Sequence, residues 1–189
     1  MTNSYYKTDM EFFVDMQRCI GCKACEAACA ECETNGQESM IHVNYVERAV
    51  TIQTTVQVCM HCEDPVCANV CPADAISKDE SGVVHTANTA RCIGCSNCVM
   101  ACPFGVPIKE EKYDMMMKCN MCYDRTSAGK KPMCATVCPS QALYYGTRED
   151  MSKMRPNSVP VNTFQFGELL VKTKVNIMMP AGATVLKVD

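Results

Sequence analysis

The apolar positions of this chain come in short bursts, separated by cysteine-rich runs with neither helical nor strand period. MEFFVD is an apolar run of strand length that ends at Asp15 and leads into the first cysteines, so a strand is predicted there. Residues 1–10 read as a polar arm. NGQES is turn chemistry, after which MIHVNYV and AVTIQTTVQV alternate and predict two strands joined near Glu47-Arg48. Ala75-Ile76 and Val83-Val84, separated by a polar turn ending in Gly82, predict a hairpin, and ALYYG is hairpin-like. Ala27-Ala28 before Cys29 suits the start of a short helix. Beyond Gly146 the pattern changes: REDMSKMRPNSVP reads as a polar linker, then VKTKVNI and ATVLKV alternate as two strands. Such strands either cap the molecule or add to the edge of a partner's sheet.

Composition changes this picture. Of 189 residues 48% are hydrophobic, but 17 Cys and 15 Met supply much of that; there is no Trp, and Leu occurs only as Leu143, Leu169, Leu170 and Leu186. One domain or two small ones fit the length, and neither can build a thick aliphatic core from these residues. Inorganic clusters held by thiolates would fill the interior and tie the loops, and without them the chain is expected not to fold.

A disulfide scaffold would need an oxidising compartment. MTNSYYKTDMEFFVDMQRC has no basic n-region, apolar h-region or twin arginine, and no apolar run is long enough to span a bilayer. The expectation is a cytoplasmic protein with no direct membrane span, unless it is exported folded with a signal-bearing partner. Its 18 Lys and Arg are scattered and form no basic patch with interleaved aromatics, which argues against nucleic acid.

The cysteines fall into groups. Cys59, Cys62, Cys67 and Cys71 precede Pro72, and Cys92, Cys95, Cys98 and Cys102 precede Pro103. Three close cysteines, then a fourth followed by proline, resemble the ligand run of bacterial two-cluster ferredoxins, where the fourth cysteine reaches across to the other cluster. The first group, Cys19, Cys22, Cys25 and Cys29, lacks the proline; the last is Cys119, Cys122, Cys134 and Cys138, then Pro139. Asp15–Cys19 and Asn88–Cys92 both continue as RCIGC, an internal repeat in which Gly21 and Gly94 permit positive φ around a cluster.

Crossed ligation places Cys59, Cys62 and Cys67 with Cys102, and Cys92, Cys95 and Cys98 with Cys71. If the outer groups form a second unit, Cys19, Cys22 and Cys25 pair with Cys138, and Cys119, Cys122 and Cys134 with Cys29. Cys32 is left over, either a small buried hydrophobe or a free thiol. Zinc is the rival for any CxxC pair, but Cys-x3-Cys-Pro endings suit cubane clusters better than zinc ribbons. His42 reads as a half-buried or surface residue, His61 as a packing or sulfide-directed one, and His85 as a strand residue. Lys118 and Arg125 read as solvated cations.

RCIGCKACEAAC, CMHCEDPVCANVCPADAI, RCIGCSNCVMACPFGV and KCNMCYDR…PMCATVCPSQAL, in that order, resemble the four-cluster iron–sulfur subunits of dimethyl sulfoxide reductase-type molybdopterin oxidoreductases. The resemblance covers about two-thirds of the chain and implies the same crossed pairing, with four 4Fe-4S clusters as cofactors. With about two negative charges per cluster, the formal charge of −3 would fall to about −11. The implied fold is α+β: two ferredoxin-like two-cluster units, the second inserted within the first, with small hairpins and short helices. The outer unit spans 1–55 and 111–146 and the inner 56–110, with 147–189 a C-terminal extended tail. The implied role is electron transfer in anaerobic respiration, with no catalysis of the chain's own. The partner would be a large molybdopterin- or tungstopterin-containing catalytic subunit, with a membrane-anchor or other redox subunit beyond it. The alternatives are a polyferredoxin subunit of a tungsten aldehyde or aryl-CoA oxidoreductase or a hydrogenase, and a free polyferredoxin.

Overall fold

The computed structural model describes residues 9–34, 36–47 and 52–183. Among them the elements are short: strands β1 (Glu11–Val14), β2 (His42–Glu47), β3 (Ile52–Gln57), β4 (Ile108–Glu110), β5 (Met115–Met117), β6 (Leu143–Gly146), β7 (Ser158–Phe166) and β8 (Leu169–Pro180). The helices are α1 (Ala24–Thr34), α2 (Val66–Asn69), α3 (Asn97–Ala101), α4 (Tyr123–Thr126), α5 (Met133–Val137) and α6 (Arg148–Met154). The fold is thus mixed α and β, with small sheets and short helices. Among the described residues no helix is long and apolar enough to cross a membrane.

Among the described residues β6-β1-β8-β7 form a four-stranded sheet, and β2-β3 and β4-β5 form two hairpins. β1 is the centre of the sheet: Phe13 and Val14 are fully buried, antiparallel to β6 on one side and parallel to β8 on the other. Apolar residues gather in two main groups. Phe12, Val14, Val43, Val56 and Val175 pack with Cys25, Cys29 and Cys134; Ile76, Val84, Met115 and Met116 pack with Cys98. Cysteines are therefore part of both cores.

The strands predicted at MEFFVD, MIHVNYV, AVTIQTTVQV and VKTKVNI form as β1, β2, β3 and part of β8. Three expectations differ, and one strand forms that was not anticipated. ALYYG makes no hairpin; β6 pairs with distant β1. The chain between Ala75 and Val84 does turn back on itself through an antiparallel bridge, Lys78 to Val84, but His85 lies beyond it in a loop, 3.1 Å from Asp79 Oδ2. The polar linker is α6, capped by the Thr147 side chain, followed by the start of β7. The Met115–Met117 run forms a strand, β5, that its sequence does not signal. ATVLKV lies almost wholly outside the described residues, as does most of the polar arm.

The tail is bound to the first strand and to the ligand loop. Arg148 joins Glu11 and the buried Asn176, and Arg155 lies 3.3 Å from Asp15 in a pair that water barely reaches. Asp15 in turn accepts from the Gln17 amide just ahead of Cys19.

Candidate iron–sulfur sites

The third residue of each Cys-x-x-Cys turns the backbone left-handed: Gly21 (φ 70), His61 (φ 46), Gly94 (φ 66) and Met121 (φ 60). That is the winding anticipated at the two glycines; at His61 and Met121 it is imposed on residues with a Cβ, at about 1–2 kcal/mol each. The third cysteine then sits on a short helix: Cys25 on α1, Cys67 on α2, Cys98 on α3 and Cys134 on α5. The fourth follows as the helix ends. Proline forces the residue before it out of the helical region, and Cys102 (ψ 116) and Cys138 (ψ 107) are extended accordingly. No proline follows Cys29, so α1 continues to Thr34 and carries Cys32 to the surface as an exposed free thiol.

These turns bring the cysteines together in crossed sets. Cys19, Cys22, Cys25 and Cys138 line one hollow. Cys29, Cys119, Cys122 and Cys134 line a second, joined by Cys59 and His61. Cys71, Cys92, Cys95 and Cys98 line a third. Cys59, Cys67 and Cys102 all act electrostatically on Cys62, which marks the remaining set. Burial, with neighbouring thiols adding to it, pushes Cys62 and Cys122 up to about 12, and Cys25 and Cys67 to about 11. Cys119 and Cys134, the most enclosed, rise well above the ordinary value. Four thiolates in so dry a place need a compensating cation, and an iron–sulfur core supplies one. Backbone amides already point at sulfur, from Met40 to Cys29, Ala75 to Cys71 and Met121 to Cys119, each at 3.3 Å. A tetrahedral zinc site would draw its thiols to about 2.3 Å from one point. Among the described residues no three of the candidate side chains converge on a single-ion site. A hollow with four cysteines on its wall fits a cluster.

The strands hold the loops in place. Tyr45 Oη donates to the Gly21 carbonyl and Thr54 Oγ1 to that of Cys19, both at 2.9 Å, so the β2-β3 hairpin clasps the first loop. A Cβ on Gly21 would come within 3.0 Å of both side chains. The β4-β5 turn covers Gly94 in the same way, through Asp114. β8 holds the second loop: the Val175 and Lys174 amides donate to the Met60 and His61 carbonyls at 3.2 and 3.0 Å, and the Glu63 amide donates to the Lys172 carbonyl at 2.7 Å.

The four sets also have an order. Cys134 feels Cys25, because α1 and α5 pack together, which sets the Cys119 quartet beside the Cys19 quartet. Cys119 feels Cys59, placing the Cys59 quartet next. α2 packs on α3 and carries Cys67 just ahead of Cys71, which brings in the Cys92 quartet last. Cys22 and Cys95, in the two end quartets, are exposed, and so are Ile20 and Ile93 beside them.

One polar residue departs from expectation and a second, His61, fits its reading as a packing or sulfide-directed residue. Lys118 is 2% exposed, not solvated; its Nζ donates to the carbonyls of Val84 and Cys119. His61 is 1% exposed, and burial, followed by the nearby Lys118, holds its pKa well below the usual value. His61 Nε2 and Asn120 Oδ1 are buried without a protein partner, and both line the Cys119 hollow. An orphaned buried donor costs about 1–3 kcal/mol. Glu33 lines the same hollow, its carboxyl raised by burial against bonds from Cys122 and Asn120 that lower it. No local motif announces these residues; their placement comes from strands distant in sequence.

Comparison with known proteins agrees with this geometry. Residues 50–148 match the family model of the 4Fe-4S dicluster domain, and residues 16–34 that of a 4Fe-4S binding domain. The sequence is 38% identical over 167 residues to the B subunit of the anaerobic dimethyl sulfoxide reductase of Escherichia coli K12, covering 77% of each protein. It is 36% identical to YnfG, a probable anaerobic dimethyl sulfoxide reductase subunit of the same strain, covering 76% of each. It is 31% identical to the iron–sulfur subunit of that strain's nitrate-inducible formate dehydrogenase, covering 82% of this protein and 60% of the relative. The protein belongs to the iron–sulfur electron-transfer subunits of the molybdopterin oxidoreductases.

Proposed function

We propose that this chain carries four 4Fe-4S clusters and relays electrons between a molybdopterin (Mo or W) catalytic subunit and an acceptor or donor at its other end, external or in the membrane. The observation that carries the reading is the arrangement of sixteen cysteines in four adjacent quartets, the two end ones each with an exposed cysteine and the two between them with none. The ligands are Cys19, Cys22, Cys25 and Cys138; Cys29, Cys119, Cys122 and Cys134; Cys59, Cys62, Cys67 and Cys102; and Cys71, Cys92, Cys95 and Cys98. When bound, each cluster supplies one-electron transfer at an accessible potential.

The chain's own residues hold the thiolates, exclude water and aim amide donors at sulfur. The Cys59 and Cys92 quartets form an inner ferredoxin-like unit, residues 56–110, inserted within an outer unit, 1–55 and 111–146, that carries the other two. The described part of the tail, 147–183, is bound to the first strand and to the second ligand loop. Along the order of quartets, electrons pass from the Cys19 site through the Cys119 and Cys59 sites to the Cys92 site, or the reverse. A large Mo- or W-pterin subunit docks at one exposed end, and a membrane-anchor or other redox subunit at the other.

The test is anaerobic purification of the native complex, with analysis for Fe, Mo, W, Ni and Zn and for acid-labile sulfide. About sixteen Fe per chain with Mo or W and a large co-purifying subunit is the expected result. The same iron without a second metal would favour a free polyferredoxin, and zinc without iron would overturn the reading.

A further inference from the structure

The junction between the Cys59 and Cys119 quartets holds a polar arrangement that thiolate ligation does not use. His61 occupies the third position of its Cys-x-x-Cys loop, where the first and third groups have Gly21 and Gly94. A side chain there sits on left-handed backbone that glycine would adopt freely, yet its ring is almost wholly buried. Nδ1 accepts from the Val84 amide at 3.0 Å. A ring nitrogen that accepts carries no proton, so the neutral imidazole bears its proton on Nε2.

That nitrogen is the buried atom without a partner, on a ring lining the hollow of Cys29, Cys119, Cys122 and Cys134. The carbonyl of the same Val84 accepts from Lys118 Nζ, and β8 fixes the loop from behind through the Lys174 amide. The ring is thus held at Nδ1 and its loop at the His61 carbonyl, and it lines a hollow that also takes in Cys29, Cys119, Cys122 and Cys134.

We propose that His61 tunes the cluster of the Cys119 quartet: its Nε2–H donates a hydrogen bond to a sulfur of that cluster, from the loop that ligates the neighbouring one. The inference rests on the cluster reading above. A donor to sulfur stabilises the more negative, reduced cluster, and so raises its potential. Because His61 belongs to the Cys59–Cys62 loop, it ties one cluster's tuning to the seating of the next, at the single step joining the inner and outer units.

The test is redox titration, followed by electron paramagnetic resonance, of the anaerobic full-length protein in its complex. His61→Gly relieves the backbone and removes both ring nitrogens, His61→Leu removes both on the left-handed backbone, and His61→Gln offers an amide N–H in place of Nε2. The expected result is unchanged iron and sulfide, with one cluster harder to reduce in the Gly and Leu variants. Its reduced-to-oxidised ratio at fixed potential should fall about tenfold, which is about 59 mV for one electron. Gln should restore part of it, and the shifted signal should be the one abolished by Cys134→Ser. Unchanged potentials at full iron content, or a shift confined to the cluster lost in Cys67→Ser, would overturn the inference.

If the variants fail to assemble, the parent protein decides it. Histidine labelled with 15N should couple to one reduced cluster in pulsed resonance spectra, and no such coupling would refute the bond. Absence of iron–sulfur signals from the parent would instead refute the reading on which this one rests.

Discussion

At the scale of single residues, the proposed ligands differ from the remaining cysteine in what their loss would cost. Three cysteines of each proposed set lie close together in sequence, on one winding loop and the helix after it, and the fourth comes from a distant group. Cys67→Ser is therefore expected to cost one cluster, about four Fe, and to spare the others, whereas exposed Cys32→Ser leaves the iron count unchanged. Iron and sulfide analysis checks both. Full iron in the Cys67 variant would mean that the second group is misassigned, and a loss of four in the Cys32 variant that the first one is. The burial of Lys118 and the partners of both Lys118 and His61 were not legible in the sequence as the cysteine spacing was. Their burial depends on Val84 and Lys174, and nothing beside them in sequence reveals a partner 23 or 34 positions away.

At the scale of elements, an apolar run found β1, whose two faces are both buried, and alternation found β2, β3 and the middle of β8. β7 was hidden by Pro160 and by a register shift between Val161 and Thr163, which break the period. β4 and β5 have three residues each, too few to carry a period. α6 has seven residues, of which Met151 is the buried one, so its apolar face is a single side chain. Its signal lies at the start instead: Thr147 accepts from the Asp150 amide, a capping arrangement just ahead of Met151. Thr147→Ala should cost about 1 kcal/mol by loss of that cap. Thermal or denaturant unfolding of the cluster-loaded protein checks it, with iron content unchanged; no loss of stability would mean that α6 is held by Met151 and Arg148 alone.

At the scale of the whole molecule, the question is what holds so thin a set of strands and short helices together. The apolar groups do not close on themselves: Cys25, Cys29 and Cys134 lie within one, and Cys98 within the other. Each hydrophobic core is the wall of a thiol-lined hollow, so the cluster and the core are one structure, and the tail strand β8 joins that structure to β1 and the second ligand loop. Anaerobic removal of iron with a chelator should therefore remove the cooperative melt, not merely lower it, and expose the backbone to proteolysis throughout.

The thiols set the pH dependence of whatever fold remains. Burial raises Cys25 from 9.0 to about 11 and Cys62 and Cys122 to about 12, so the folded chain binds these protons more tightly than the unfolded one. Their favourable contribution is complete below 9.0 and is lost as pH rises through about 11 to 12. The iron-free chain should accordingly lose residual structure between those limits, while the loaded protein, whose ligand thiolates carry no protons, lacks this dependence. Circular dichroism of both forms across that range measures the difference. A cooperative melt retained without iron, indifferent to pH above 9.0, would show that the apolar residues suffice by themselves and that the clusters are passengers in the fold.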